Sequence, residues 1–127
     1  MKQVIVSAEA PAAIGPYSQA VAVEAQQIVF LSGQIALDAE GRLVGEGDVR
    51  AQTRQVLANL GAVLKAAHLG FEHVVKTTIY LRDMADYAAV NEEYGQVFRD
   101  RPPARAAFSV VGLPRDVLVE IECIAAR

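Results

Sequence analysis

The sequence predicts an α+β fold: a mixed β-sheet with two helices packed on one of its faces. Two segments carry apolar residues at helical spacing, one between residues 48 and 68 and one between residues 83 and 98. The segments around them are short, apolar and rich in β-branched residues, which is typical of strands. We therefore expect the order strand, hairpin, helix, strand, helix, hairpin along the chain.

The N-terminal third is predicted to form a short strand followed by a hairpin. Residues 4–6 are the strand, and residues 11–16, with two prolines and a glycine, form a rigid, non-helical lead-in. Residues 17–23 and 27–32 are predicted to pair as a hairpin around a polar turn. The strand at residues 28–31 is apolar on both faces, so we expect both faces to be covered.

The remaining elements have equally distinct signals. Asp48 and Gly70 are start and stop signals on either side of the first helix. Residues 74–81 are predicted as a strand, and residues 106–111 and 117–125 as a second hairpin. The second helix is predicted to bury one stripe of residues: Tyr87, Val90, Asn91, Tyr94, Val97 and Phe98.

The length and the apolar content together predict self-association. The chain has 127 residues, which fits one domain spanning 1–127. It is 53% hydrophobic and only 21% charged. A small domain has a large surface for its volume, so this apolar content exceeds what its own core needs. Two helices cover one face of a sheet, and we expect another copy of the chain to cover the other.

Charge, hydropathy and cysteine content exclude several classes of protein. The net charge is −3 and the pI is about 5.3, without the basic cluster that a nucleic-acid binder carries. No apolar run approaches the roughly 20 residues of a membrane helix, and the N-terminus lacks a signal-peptide core. The single cysteine, Cys123, cannot form an internal disulfide. These features predict a reduced, cytoplasmic protein.

Arg105 is the first candidate for chemistry. It follows two prolines and begins a strand otherwise made of Ala, Phe, Ser and Val. A guanidinium at the edge of an apolar strand needs a partner, because an unpaired buried charge is costly. One interpretation is a structural salt bridge to Glu120 or Glu122. The other is a bidentate clamp on a substrate carboxylate, which the planar fork of arginine suits.

Glu120 and Glu122 are the second candidates. Strand alternation places both on one face, with Val119, Ile121 and Cys123 on the other. The simpler interpretation is a solvated outer face. The apolar neighbours favour a covered face instead, where burial would raise the pKa of a carboxyl group and suit it to acid–base chemistry.

Four further residues could line a pocket. Asn91 lies on the apolar stripe of the second helix, where a buried amide needs hydrogen-bond partners. Tyr17 follows the rigid lead-in and could belong to the core or to a pocket wall. Ser32 and Gly33 end an apolar strand, where glycine lets a ligand approach the backbone. Each also has a purely structural explanation. Asn91 could tie the helix to a loop, Tyr17 could belong to the core, and Ser32 and Gly33 could form an ordinary turn.

Other familiar sites are not predicted. The glycines near residue 45 have no phosphate-loop or dinucleotide spacing. His68 and His73 have no cysteine or carboxylate at metal-ligand spacing, so we predict surface histidines and no metal. Cys123 falls on the apolar alternation and is expected in the core.

Taken together, the motifs resemble the RidA (YjgF) family of reactive-intermediate deaminases. The specific combination is Pro103-Ala-Arg105, then Leu113-Pro114, then Glu120-Ile-Glu122. Supporting fragments are AAIGPYSQ at residues 12–19, LSGQ at 31–34, VKTT at 75–78 and VN at 90–91. The resemblance extends from about residue 8 to the C-terminus.

This resemblance implies a fold, an assembly and an activity. The fold would be chorismate-mutase-like, in a homotrimer whose sheets form a central barrel and whose sites lie at subunit interfaces. The activity would be cofactor-free hydrolysis of 2-imino acids, formed by pyridoxal-phosphate enzymes, to 2-oxo acids and ammonia. Arg105 would hold the carboxylate and Glu120 would activate water. Tyr17, Ser32, Gly33 and Asn91 would shape the pocket.

Two alternatives and one departure accompany this prediction. The chain could be a non-enzymatic trimer that binds 2-oxo acids as a sensor, or it could share the ribonuclease activity ascribed to some relatives, which the acidic pI disfavours. Many family members carry a cysteine two residues after the arginine, where this chain has Ala107. Thiol chemistry at that position is therefore excluded.

Overall fold

The computed structural model describes residues 2–127 and contains six strands and two helices. Short 3₁₀ turns precede β4, α2 and β6. The α+β class is as predicted. The elements are β1 (Lys2–Ile5), β2 (Ala20–Val23), β3 (Ile28–Gln34), α1 (Val49–Ala66), β4 (Val74–Leu81), α2 (Tyr87–Val97), β5 (Ala104–Ser109) and β6 (Val119–Ala126).

Helix α1 begins and packs as its sequence predicts. The Asp48 carboxylate accepts a hydrogen bond from the Ala51 backbone N–H at 3.1 Å, which satisfies one of the free donors of the first turn. Its apolar stripe faces the sheet and joins the stripe of α2 in one core. The fully buried members of the helices include Val56, Leu60, Leu64, Val90 and Tyr94.

Four strands form the main sheet in the order β3-β6-β4-β5. Strand β6 runs antiparallel to both β3 and β4, whereas β4 and β5 are parallel. Strands β1 and β2 form a separate antiparallel pair, with Lys2 opposite Val23 and Ile5 opposite Ala20. The sheet is therefore mixed, as predicted, but its strands do not pair in sequence order.

The predicted hairpin of residues 17–23 with 27–32 is wrong. Strand β2 pairs with β1, and β3 pairs with β6, placing Ile28 opposite Ala126. The chain between β2 and β3 is held by the C-terminus instead, since the backbone N–H groups of Gln26 and Gln27 both donate to the Arg127 carbonyl at 2.8 Å. Alternation along a strand determines which face is buried but not which strand lies beside it.

The predicted hairpin of residues 106–111 with 117–125 is also wrong. Strand β4 lies between β5 and β6, and β5 pairs with β4 in parallel, with Arg105 beside Thr77. The physical reason is the helix between β4 and β5. A strand, a crossover helix and a second strand pack most readily as a parallel unit, so β5 joins β4 before β6 is reached.

The two faces of the sheet differ sharply in burial. On the helix side of β6, Val119 and Ile121 are fully buried. The opposite face, which we call the open face, carries large apolar side chains without cover: Phe30 is 74% exposed, Ile28 56% and Phe108 45%. The sequence prediction of strands apolar on both faces is confirmed for β3. A surface of this kind is typical of a buried interface.

Candidate functional site

The entry to β5 positions Arg105. The Ser18 hydroxyl donates to the Pro102 carbonyl at 2.5 Å, and the Ser18 backbone N–H donates to the Pro103 carbonyl at 3.1 Å. These bonds lay the segment before β2 alongside the start of β5, where Ser18 bridges Ala104 in parallel. The two prolines, together with the segment before β2 that is hydrogen-bonded to them, therefore fix the backbone on the N-terminal side of Arg105.

The guanidinium of Arg105 lies among three tyrosines. Its central carbon is 5.3 Å from the ring centre of Tyr17, 5.7 Å from that of Tyr87 and 5.0 Å from that of Tyr94. Aromatic faces at these distances attract a cation. Its Nη2 donates to the Tyr87 hydroxyl at 3.0 Å. The lead-in at residues 11–16 is close as well, since a Cβ atom on Gly15 would lie 3.9 Å from Nη2 of Arg105.

Arg105 has no counter-ion among residues 2–127. Its Nη1 is buried and has no hydrogen-bond partner, and none of the ion pairs in the described chain includes it. The structural salt bridge to Glu120 or Glu122 is therefore not formed within one chain. A guanidinium that is surrounded by aromatic rings and has unpaired N–H donors is suited to bind an anion. A carboxylate would supply both the negative charge and the hydrogen-bond acceptors that these donors lack.

Asn91 lies on the same stripe of α2 as two of these tyrosines. It follows Tyr87 by four residues and precedes Tyr94 by three, so all three side chains project from one face of the helix. Its Oδ1 is buried without a hydrogen-bond partner in the described chain. The predicted tie from this amide to a loop is therefore absent, and Asn91 offers a free acceptor on the stripe that faces Arg105.

Glu120, Ser32 and Gly33 come together at a second location. The pairing of β3 with β6 shifts between Leu31 and Gln34, so Ser32 and Gly33 form a bulge in β3 rather than the strand end that the sequence indicated. The Glu120 side chain lies directly on this bulge. A Cβ on Gly33 would overlap the Glu120 carboxylate and stand 2.9 Å from its carboxyl carbon, so glycine leaves the space that the carboxylate occupies.

Burial and a neighbouring charge alter the chemistry of Glu120. Burial raises its pKa above the ordinary value, and the negative charge of Glu122 raises it further. Glu122 lies on the same face and accepts a hydrogen bond from the Tyr80 hydroxyl, which raises the pKa of Tyr80. The predicted common face of the two carboxylates is confirmed, and burial acts on the pKa of Glu120 in the expected direction.

The two groups of residues lie on opposite faces of the sheet. Arg105 and Cys123 both pair with Thr77, which is buried on the helix side, whereas Glu120 pairs with Tyr80 on the open face. One chain therefore does not bring Arg105 and Glu120 into one pocket. The predicted β5–β6 hairpin could have placed both side chains on one face, but the intervening β4 removes that pairing.

The cysteine that was expected in the core lies there. Cys123 is buried, and burial followed by the charge of Glu122 raises the pKa of its thiol to about 12, which keeps it protonated. Within residues 2–127, no group of three or more His, Cys, Asp or Glu side chains is arranged to hold a metal ion. No helix in that range has the length and apolar character needed to cross a membrane.

Sequence reasoning missed two of the tyrosines around Arg105. The helical spacing places Tyr87 and Tyr94 on the buried stripe of α2 and nothing more, whereas in the structure Tyr87 is only half-buried and its hydroxyl accepts a hydrogen bond from the guanidinium. Tyr94 is fully buried, and its hydroxyl shares a hydrogen bond of 2.7 Å with Thr77. The sequence signal that could have indicated a role for Tyr87 is its spacing of four residues from Asn91, which places the Tyr87 hydroxyl and the Asn91 amide on the same stripe of the helix.

Comparison with known proteins places this geometry in a family. The family described as Endoribonuclease L-PSP matches residues 7–127. The chain is 54% identical over 125 residues to a RutC family protein of Synechocystis sp., covering 97% of this chain and 95% of that protein. It is 48% identical over 127 residues to the 2-iminobutanoate/2-iminopropanoate deaminase of Mus musculus, covering 100% and 93%.

A solved structure supports the fold as well as the family. The crystal structure of E. coli TdcF with bound serine is 38% identical, has a TM-score of 0.75 and is matched over 98% of each chain. This likeness confirms two helices packed on a mixed sheet of the YjgF/Rid type. Sequence motifs, sheet topology and these matches agree, and the chain belongs to the endoribonuclease L-PSP family, also called the YjgF/RidA family.

Proposed function

We propose that this protein is a 2-iminobutanoate/2-iminopropanoate deaminase, which hydrolyses 2-imino acids to 2-oxo acids and ammonia. The observation that carries the proposal is the Arg105 guanidinium, caged by tyrosines and left without a counter-ion among residues 2–127. A small carboxylate completes it. Two comparisons support this substrate class: the mouse relative is named for the reaction, and TdcF was solved with serine, which also carries a carboxylate.

The site is proposed to combine residues of two subunits. Arg105, Tyr17 and Asn91 lie on the helix side of the sheet, whereas Glu120 lies on the open face, against the bulge formed by Ser32 and Gly33. One chain cannot present both groups to one small substrate. Because the open face carries uncovered Phe30 and Ile28, a second copy packed there would bring the Glu120 group of one subunit to the Arg105 group of its neighbour. A homotrimer with its sheets in a central barrel satisfies this requirement.

The chemistry needs few catalytic groups. A protonated imine carbon is electrophilic, so water adds to it once a base accepts a proton from that water. The addition gives a carbinolamine; its nitrogen takes a proton and the C–N bond breaks to release ammonia, while the hydroxyl group gives its proton to the base and the C=O bond forms. Arg105 orients the substrate through its carboxylate. Glu120, with its raised pKa, is suited to accept the proton and to return it to the leaving nitrogen.

A coupled assay tests the activity directly. A pyridoxal-phosphate-dependent threonine dehydratase releases the imine, and its decay is followed with and without this protein. We expect the protein to accelerate decay in proportion to its concentration. If the decay rate is unchanged while 2-oxobutanoate still binds, the protein is a metabolite-binding module that uses the same arginine, and the deaminase assignment fails.

Mixed assemblies test the two-subunit site. Light scattering at micromolar concentration should report a trimer. Arg105→Ala and Glu120→Gln chains, each nearly inactive alone, should regain activity when they assemble together, because some interfaces then join an intact Arg105 to an intact Glu120. Random mixing in equal amounts restores about a quarter of the sites. A monomer in solution, or no recovery in verified mixed trimers, would exclude an interfacial site.

The Gly33 bulge gives a prediction about the placement of Glu120. In Gly33→Ala, the added methyl group overlaps the Glu120 carboxylate and displaces it. We expect imine hydrolysis to fall about tenfold, because small displacements of a catalytic group are costly, while thermal stability changes little. Gly112→Ala is the matched control, since its Cβ meets open space. Equal activity of the two variants would show that the carboxylate does not need this position.

A further inference from the structure

Tyr87 has a role that neither the family motifs nor the sequence assigned. It is the first residue of α2, and its hydroxyl oxygen accepts the hydrogen bond from Arg105 Nη2 at 3.0 Å. A phenol that accepts one hydrogen bond keeps its own proton as a donor. Within residues 2–127 this proton has no protein acceptor, because the only hydrogen bond of the Tyr87 hydroxyl is the one from Arg105. The hydroxyl is therefore a free donor beside a cation.

The contact also controls the orientation of the guanidinium. Tyr17 and Tyr94 meet Arg105 through their rings, and attraction to a ring does not select one rotation of the guanidinium in its own plane. The hydrogen bond to Tyr87 does select one, because it ties Nη2 to a fixed point. The remaining donors are then the two hydrogens of Nη1, which is buried and unpaired, the second hydrogen of Nη2 and the single hydrogen of Nε.

We propose that Tyr87 is the positioning residue of Arg105 and that the two side chains act together as a carboxylate clamp. Tyr87 holds the fork of Arg105 in the orientation that receives a carboxylate in bidentate fashion, and its own O–H donates to the same ligand. This inference rests on the proposed function for the identity of the ligand. It concerns affinity for the carboxylate, whereas the activation of water belongs to Glu120.

The test is Tyr87→Phe, which removes the hydroxyl and keeps the ring. We expect the Kd of 2-oxobutanoate, measured by titration calorimetry, to rise about tenfold, the scale of one hydrogen bond to a charged group. In the imine assay, KM should rise by the same factor with kcat within about twofold, since the clamp holds substrate and transition state alike. A residue with only a structural role would not raise KM while leaving kcat nearly unchanged.

Tyr94→Phe is the comparison variant. It loses a hydroxyl from the same stripe of α2, but that hydroxyl is bonded to Thr77 and not to Arg105. It should lower the midpoint of thermal unfolding, because it leaves a buried Thr77 hydroxyl unpaired. Its ring stays over Arg105 and the hydrogen bond from Arg105 to Tyr87 is kept, so its Kd should rise by less than the tenfold expected of Tyr87→Phe. If Tyr94→Phe weakened binding as much as Tyr87→Phe, or if Tyr87→Phe left Kd unchanged, the clamp would be refuted.

The same measurements separate this inference from the proposed function. Failure of the unmutated protein to accelerate imine decay, with Tyr87→Phe still weakening 2-oxobutanoate binding, would overturn the deaminase and uphold the clamp. Normal deaminase activity with unchanged Kd and KM in Tyr87→Phe would overturn the clamp alone. If the unmutated protein neither binds 2-oxobutanoate nor accelerates imine decay, both are overturned.

Discussion

Arg105→Ala is expected to abolish both ligand binding and turnover. A bidentate, charge-assisted contact contributes about 1.5–3 kcal/mol per hydrogen bond, so losing two of them should weaken 2-oxobutanoate binding at least about 10²-fold. Imine hydrolysis should fall by a similar factor, since an unanchored substrate loses its orientation toward the water. Calorimetric titration and the coupled dehydratase assay measure the two effects.

Arg105→Lys is the matched control for charge. Lysine keeps the positive charge but presents a single ammonium group in place of the planar fork. We therefore expect it to recover only part of the lost affinity. The fold should survive both substitutions, because Arg105 forms no ion pair within residues 2–127. Unchanged Kd in Arg105→Ala, with a normal thermal unfolding midpoint, would place the carboxylate elsewhere.

Glu120→Gln is expected to separate catalysis from binding. Glutamine has nearly the same shape and keeps one acceptor oxygen, but it cannot take a proton from water. Imine hydrolysis should fall about 10²-fold or more, the usual scale for the loss of a general base. Binding of 2-oxobutanoate should stay within a few-fold. Full activity in this variant would refute the assignment and make Glu122, on the same face, the next residue to test.

The pH dependence gives a second readout for Glu120, with Glu122→Gln as the control. The base must be ionised, so kcat/KM should fall as the pH drops through the pKa of Glu120. Because burial and then Glu122 raise that pKa, this limb should lie above the roughly 4.3 of an ordinary glutamate. Glu122→Gln removes one of the two causes and should move the limb to lower pH. An unshifted limb would indicate that another group titrates.

The sequence by itself determined the two helices, the approximate positions of the strands and the face on which the two candidate carboxylates lie. Helical periodicity between Asp48 and Gly70 predicted α1, and β-branched content predicted β4 with the bounds that the structure has. Alternation in β6 correctly placed Glu120 and Glu122 on one face. These properties are local, because a helix or strand is specified by the spacing of its own apolar residues. The motifs around Arg105 were likewise sufficient to indicate the family.

Only the tertiary structure decided how the strands pair, and with it how the site is divided. Both predicted hairpins were wrong. The crossover helix α2 brings β5 beside β4 instead of β6. Strand β3 pairs with β6 instead of β2, and the turn before β3 is hydrogen-bonded to the C-terminal residue Arg127. The insertion of β4 between β5 and β6 places Arg105 and Glu120 on opposite faces. Alternation specifies a face for each residue of its own strand, whereas pairing depends on which distant strands bury the most surface together, and no local pattern encodes that choice.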